Sequence, residues 1–173
     1  MTVRGLTQVE MMVVAAILVV LAAAVVVPSY RGYQAARAPS DAAATLAQDL
    51  AVLERAAQAG ARDEGATLIV VTDDPLVYRG YHGRPESLDP NSTLGTMLFE
   101  RRFNAVRLAG GPIASSTPLL FASDGRAQYV LSGLLSDPHA AIELTLSQRP
   151  SGRTTTVGLD LFTGAISQSA ASR

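Results

Sequence analysis

Residues 11–27, MMVVAAILVVLAAAVVV, are seventeen consecutive apolar residues without a charge, and a carboxylate, Glu10, stands directly ahead of them. A run of this kind folds as a helix that wants lipid or other helices around it. A membrane-spanning helix uses roughly 17 to 25 apolar residues at about 1.5 Å each. The run reaches the low end of that range, extended by Leu6 and Val9 on the other side of Glu10. A secretory signal peptide is the rival reading, with Arg4 as its positive end and Ala22, Ala23 and Ala24 as small residues for cleavage. Two details count against it. Such peptides carry an apolar core of about 7 to 15 residues, whereas here Val25, Val26 and Val27 continue the run, and the pattern past Pro28 stays helical.

The remainder of the chain has ordinary polar spacing. Its 173 residues leave room for one domain and a tail, and the 48% hydrophobic content owes part of its excess to this one stretch. A formal net charge of -1 argues against a general binder of nucleic acid or anionic lipid, which needs a basic surplus. All 14 positive side chains are arginine. With no cysteine there is no disulfide framework, thiolate metal site or cysteine nucleophile, and the redox compartment is not legible.

After Pro28, Ala-rich sequence runs from Tyr33 to Ala59, and Leu46, Leu50, Leu53 and Ala57 recur at helical spacing on one face. Asp49, Glu54 and Arg55 fall between them, and Gly60 is the expected stop. Pro28 and Pro39 each remove a backbone donor and are expected to kink the helix. The result would be one bent rod of roughly 80 Å, apolar nearly all round in its first half and one-sided in its second. Downstream the period changes. Segments 67–71, 76–81, 104–108, 118–122, 128–132, 141–147 and 155–161 read as strands, with clear alternation in Ile142-Glu143-Leu144-Thr145-Leu146. Ser123-Asp124-Gly125-Arg126 and Thr163-Gly164 are hairpin turns, Gly110-Gly111-Pro112 breaks the chain, and residues 81–92 read as a long loop.

The start resembles the type IV pilin and pseudopilin signature. A short leader, MTVRG, ends in Gly5; Leu6, Thr7, Gln8, Val9 and Glu10 follow; then comes the long apolar helix with its Pro28. Leu6 replaces the more usual Phe, Gln8 stands where an apolar residue is common, and Pro28 lies one position late. More weakly, the rest resembles the H-type pseudopilins of type II secretion and the FimT-like minor pilins, through 46–57, 67–71, 120–126 and 158–166. The basic Gly-Arg-x-Arg motif of DNA-receptor relatives is absent, since the closing turn reads Gly164-Ala165-Ile166-Ser167.

The resemblance implies an α+β, pilin-like fold: a long N-terminal helix with an apolar first half, packed on a C-terminal antiparallel β-sheet head. Residues 1–5 would be the leader, 6–28 a transmembrane and filament-core helix, 29–60 its amphipathic continuation and 61–173 the β-rich head. A prepilin peptidase and methyltransferase would cut between Gly5 and Leu6 and N-methylate Leu6. The subunit would sit in the bacterial inner membrane, single-pass, leader cytoplasmic and head outside. It would then join other subunits at a membrane-embedded assembly platform, as a minor pilin, pseudopilin or major pilin.

Glu10 gains a reason from this. A carboxylate at mid-membrane costs roughly 2.5 to 3.5 kcal/mol on insertion scales. Cleavage creates an α-amine of ordinary pKa about 7.7 to 8.0, and unit charges about 4 Å apart attract by roughly 4 kcal/mol at an effective dielectric of 20. Glu10 paired with the Leu6 amine of a neighbouring subunit would select one axial register, while Thr7 caps the helix or assists the pair. The plain alternative is a Glu10 that snorkels at the headgroup boundary.

Signs of catalysis are poor. His82 and His139 lack ligand spacing, Asp73-Asp74 with Asp89 is an incomplete calcium set, and Ser115, Ser116 and Ser123 lack a nucleophile elbow. No enzyme activity, metal or cofactor is expected. Arg101, Arg102 and Arg107 read as a strand surface and, together with Arg153, are the candidates for contact with an anionic partner such as nucleic acid. A DNA-binding minor pilin and a membrane-tethered enzyme are the alternatives from other classes.

Overall fold

The computed structural model describes residues 8–60, 65–83, 95–113, 117–131, 134–137, 140–149 and 151–169, without the side chains of residues 25, 28, 31, 35 and 131. The chain divides into two compact units, Met1–Ala36 and Arg37–Arg173.

Helix α1, Gln8–Ala59, supplies the described part of the first unit and enters the second. Its helical assignment continues through both Pro28 and Pro39, so neither proline ends it. Within the first unit the described large apolar side chains between Val9 and Val27 are exposed.

The second unit is built on the other half of the same element. Ala42, Ala43, Leu46, Leu50, Leu53 and Ala57 recur every three or four positions, so the helix presents one apolar stripe, and all six are buried. Against it, among the described residues, lie ten strands: β1 Ala66–Asp73, β2 Leu76–His82, β3 Thr96–Phe103, β4 Val106–Gly110, β5 Pro118–Phe121, β6 Ala127–Leu131, β7 Leu134–Leu135, β8 Ala141–Gln148, β9 Thr154–Asp160 and β10 Ile166–Gln168. They form a six-stranded sheet in the order β3-β2-β1-β5-β6-β7 and a four-stranded sheet in the order β10-β9-β8-β4, with antiparallel pairing throughout. Leu68, Val70, Tyr78, Leu119 and Phe121 from the first sheet and Val106, Ile142, Leu144, Leu146, Val157 and Leu159 from the second join the helix stripe in one core. The alternation read in β8 is the observed one: Ile142, Leu144 and Leu146 are buried while Glu143 is exposed.

The expected fold, a pilin-like α+β arrangement of a long half-apolar helix on one β-sheet head, is corrected here. Ten strands, among the described residues, form two antiparallel sheets in place of one. Among the described residues, no helix is long and apolar enough to cross a membrane. The physical reason lies in α1 itself: from Arg37 onward it carries charges suited to a half-buried face, and its apolar stripe packs under both sheets at once.

Turn chemistry closes the head. Between β5 and β6 the Asp124 carboxylate accepts the Arg126 N–H at 3.1 Å, and Gly125 takes φ of 85°. Between β9 and β10 the Asp160 carboxylate accepts the N–H groups of Phe162 and Thr163 at 2.9 and 3.0 Å, which holds its pKa below the usual carboxylate value. Gly164 follows at φ 71°, and a Cβ there would stand 2.8 Å from Glu54 Oε1 on α1 and 3.1 Å from the Gly125 carbonyl oxygen. The two hairpins and the end of α1 therefore meet where a side chain has no room. Gly164→Ala should lower unfolding stability by about 1 to 3 kcal/mol, read as a drop in urea midpoint at unchanged m-value.

Candidate functional site

The N-terminal segment carries the first set of candidates. Gly5, Leu6 and Thr7 lie outside the described residues, as does the side chain of Pro28. Glu10 stands in the first turn of the described part of the helix. Around it Val9, Met11, Met12 and Val13 are all more than half exposed. Ala16, Ile17, Val20 and Leu21 frame an apolar hollow one turn further along. The described segment thus combines one acid with an apolar surface.

The second set sits in the head. Asp49 lies between Leu46 and Leu53 on α1 and is 4% exposed, so its charge needs partners. The Tyr78 hydroxyl donates to Asp49 Oδ2 at 3.0 Å. Arg101 donates twice, from Nε to Oδ2 at 3.0 Å and from a terminal nitrogen to Oδ1 at 3.2 Å. These bring β2 and β3 to the helix at one point, because Tyr78 and Arg101 face each other in the strand register. Tyr78 also stacks on Phe103 at 6.0 Å and meets Phe99 edge-on at 6.4 Å, while the Arg101 guanidinium lies 5.6 Å from the Phe99 ring centre. Burial, then the charge and hydrogen bond of Asp49, push the Tyr78 phenol well above its ordinary pKa. The hydrogen bond and charge of Asp49 likewise raise Arg101. A phenol held protonated and a guanidinium held on a carboxylate form a clasp, with no group poised to attack or transfer a proton.

The four arginines named as candidates for an anionic partner are distributed over the head. Arg101 is committed to Asp49; Arg102 is exposed on β3; Arg107 is exposed on β4 of the other sheet; Arg153 is half-buried just ahead of β9. Sequence reasoning missed β3 and the clasp together, since Thr-Met-Leu-Phe-Glu-Arg-Arg-Phe has no alternation and Asp49 looks like any helix-surface acid. The available signal was an acid placed between two leucines of the buried stripe. His82 ends β2, and His139 lies outside the described residues, as do Asp89, Ser115 and Ser116. Asp74 forms an ion pair with Arg149, Ser123 sits in the turn after β5, and among the described residues no group of three His, Cys, Asp or Glu side chains could hold a metal.

Removing Arg101 strands a buried carboxylate, so Arg101→Ala should cost about 1 to 3 kcal/mol, against less than about 0.5 for Arg102→Ala, both measured by chemical unfolding. Tyr78 supplies a pH dependence of definite sign. Its phenol ionises less readily folded than unfolded, so the unfolded chain loses that proton first, above about pH 10, and stability falls as pH rises further. Tyr78→Phe should flatten this alkaline decline in denaturation midpoints taken from pH 9 upward.

Set against protein-family models, curated proteins and solved structures, the chain matches none of them, and its function is read from its own residues.

Proposed function

We propose that this chain is a non-enzymatic filament subunit, a minor pilin or pseudopilin, that joins a type IV pilus or a type II secretion pseudopilus through its N-terminal helix. The observation that carries the reading is the apolar surface of α1 in the first unit: Val9, Met12, Leu18, Val19, Val20 and Val26 are each at least 60% exposed, with Glu10 at its start. Contiguous apolar area of this extent is covered in a working molecule, and on a helix the natural cover is lipid or other helices.

The sequence around it supplies the specificity. Cleavage between Gly5 and Leu6 would leave Leu6 as the new amine, four residues ahead of Glu10. Before assembly the subunit is held at the bacterial inner membrane with its head outside. The apolar side chains exposed along α1 supply the attachment, with no described helix long and apolar enough to cross the membrane. In the filament, apolar contact between parallel helices gives adhesion without choosing a register, and the Glu10 carboxylate on a neighbour's amine chooses it. A prepilin peptidase and methyltransferase, an assembly platform and other subunits are the partners this requires.

Glu10→Ala tests the reading directly. The variant is expected to be cleaved and membrane-inserted like the parent chain yet absent from sheared filaments, or nearly so, by immunoblot. Normal incorporation of Glu10→Ala would sink the pairing mechanism.

A further inference from the structure

Strand β3 is the outer strand of the six-stranded sheet: β2 occupies one of its edges, and among the described residues no strand occupies the other. It is eight residues long, and six of the eight side chains are exposed. Exposed edges of that length are templates for pairing with another chain. The register against β2 slips between Gly80 and Tyr81, which leaves Leu98 as an extra residue on β3. Beyond that bulge five residues run in regular register, Phe99 to Phe103 against Gly80 to Leu76. Their geometry is held from behind, by the grip of Asp49 on Arg101 and by Phe99, whose ring lies where a Cβ on Gly80 would stand.

The five residues read Phe-Glu-Arg-Arg-Phe, and this order is complementary to itself when reversed about Arg101. A two-fold axis normal to the sheet keeps like faces together, so facing residues must be an even number of positions apart in sequence number. Glu100 also pairs with Arg79 of its own β2 at 2.6 Å, so like charge alone does not choose the register; but centring on Glu100 or on Arg102, besides setting two glutamates or two arginines opposite each other, brings no acid against a base of the second copy. Centring on Phe99 sets Glu100 against Leu98 in the bulge. Centring on Arg101 sets Glu100 against Arg102 of the second copy and Phe99 against Phe103 of the second copy, each twice. The like-charged contact in that register is Arg101 with its counterpart, and each already carries its own Asp49 carboxylate.

We propose that two copies of this chain pair antiparallel along β3 in the register centred on Arg101, extending the six-stranded sheet across a two-fold axis. The pair is isologous and closed, so it buries the free edge in both copies and does not propagate. It rests on the head and not on the filament reading, so either can fail without the other.

The test uses the full chain in detergent, with mass followed by sedimentation over a range of protein concentrations. The parent chain is expected to show a concentration-dependent dimer. Glu100→Arg and Arg102→Glu should each weaken it by at least about tenfold, while retaining a parent-like melting curve. An equimolar mixture of the two variants should restore dimers, because the arginine pair of one chain then meets the glutamate pair of the other; the double variant should also recover. A parent chain that stays monomeric overturns the proposal. So does association indifferent to every swap, which would report the apolar helix instead, and so does loss in the single variants without recovery in the mixture.

Discussion

Both sheets of the head close on a single helix face, and that shared face is the constraint on which the rest of the structure depends. Leu46, Leu50, Leu53 and Ala57 leave no room for solvent between helix and strands. Among the described residues neither sheet has a second layer of helix to cover it, and each buries its apolar face against the other and against α1. Within that contact Asp49 is the polar interruption. A carboxylate so placed would be a heavy penalty if left alone, and its satisfaction by Tyr78 and Arg101 fixes where β2 and β3 meet the helix. One buried acid thereby sets the position of the sheet's outermost strand.

The two halves of α1 pose opposite physical problems. In the head the helix stripe is matched residue by residue with strand side chains, and its charged face turns to water. In the N-terminal unit the large apolar side chains are exposed, and within that unit nothing answers them. A chain that spends well-patterned sequence on one half and unrelieved apolar sequence on the other is solved by two different environments. The filament reading supplies the second environment through neighbouring helices.

Much of the head was legible because its signals are local. The helix stripe, the stop at Gly60, the alternation of β8 and the turns at Gly125 and Gly164 each follow from spacing or from a residue suited to left-handed backbone, and Gly60 N–H does bond back to the Ala56 carbonyl at 3.2 Å. What escaped was non-local. β3 has exposed residues on both faces and so lacks the two-residue period, and β7 and β10 are too short to show one. The number of sheets could not be read from strand signals at all, since it depends on which edges pair. The role of Arg101 also stayed hidden, because its partner lies 52 positions away in sequence.

That last contact gives meaning to an oddity of composition. An all-arginine inventory of positive charge reads as a bias of the coding sequence, indifferent to structure. At exposed positions such as Arg102 and Arg107 that reading suffices, since an ammonium group in water would serve equally well. At Arg101 it does not. A planar fork that grips both oxygens of one carboxylate while lying over an aromatic ring is a shape that lysine cannot take. A genetic drift towards arginine and a structural demand for it would look identical in the sequence, and they separate at this one residue.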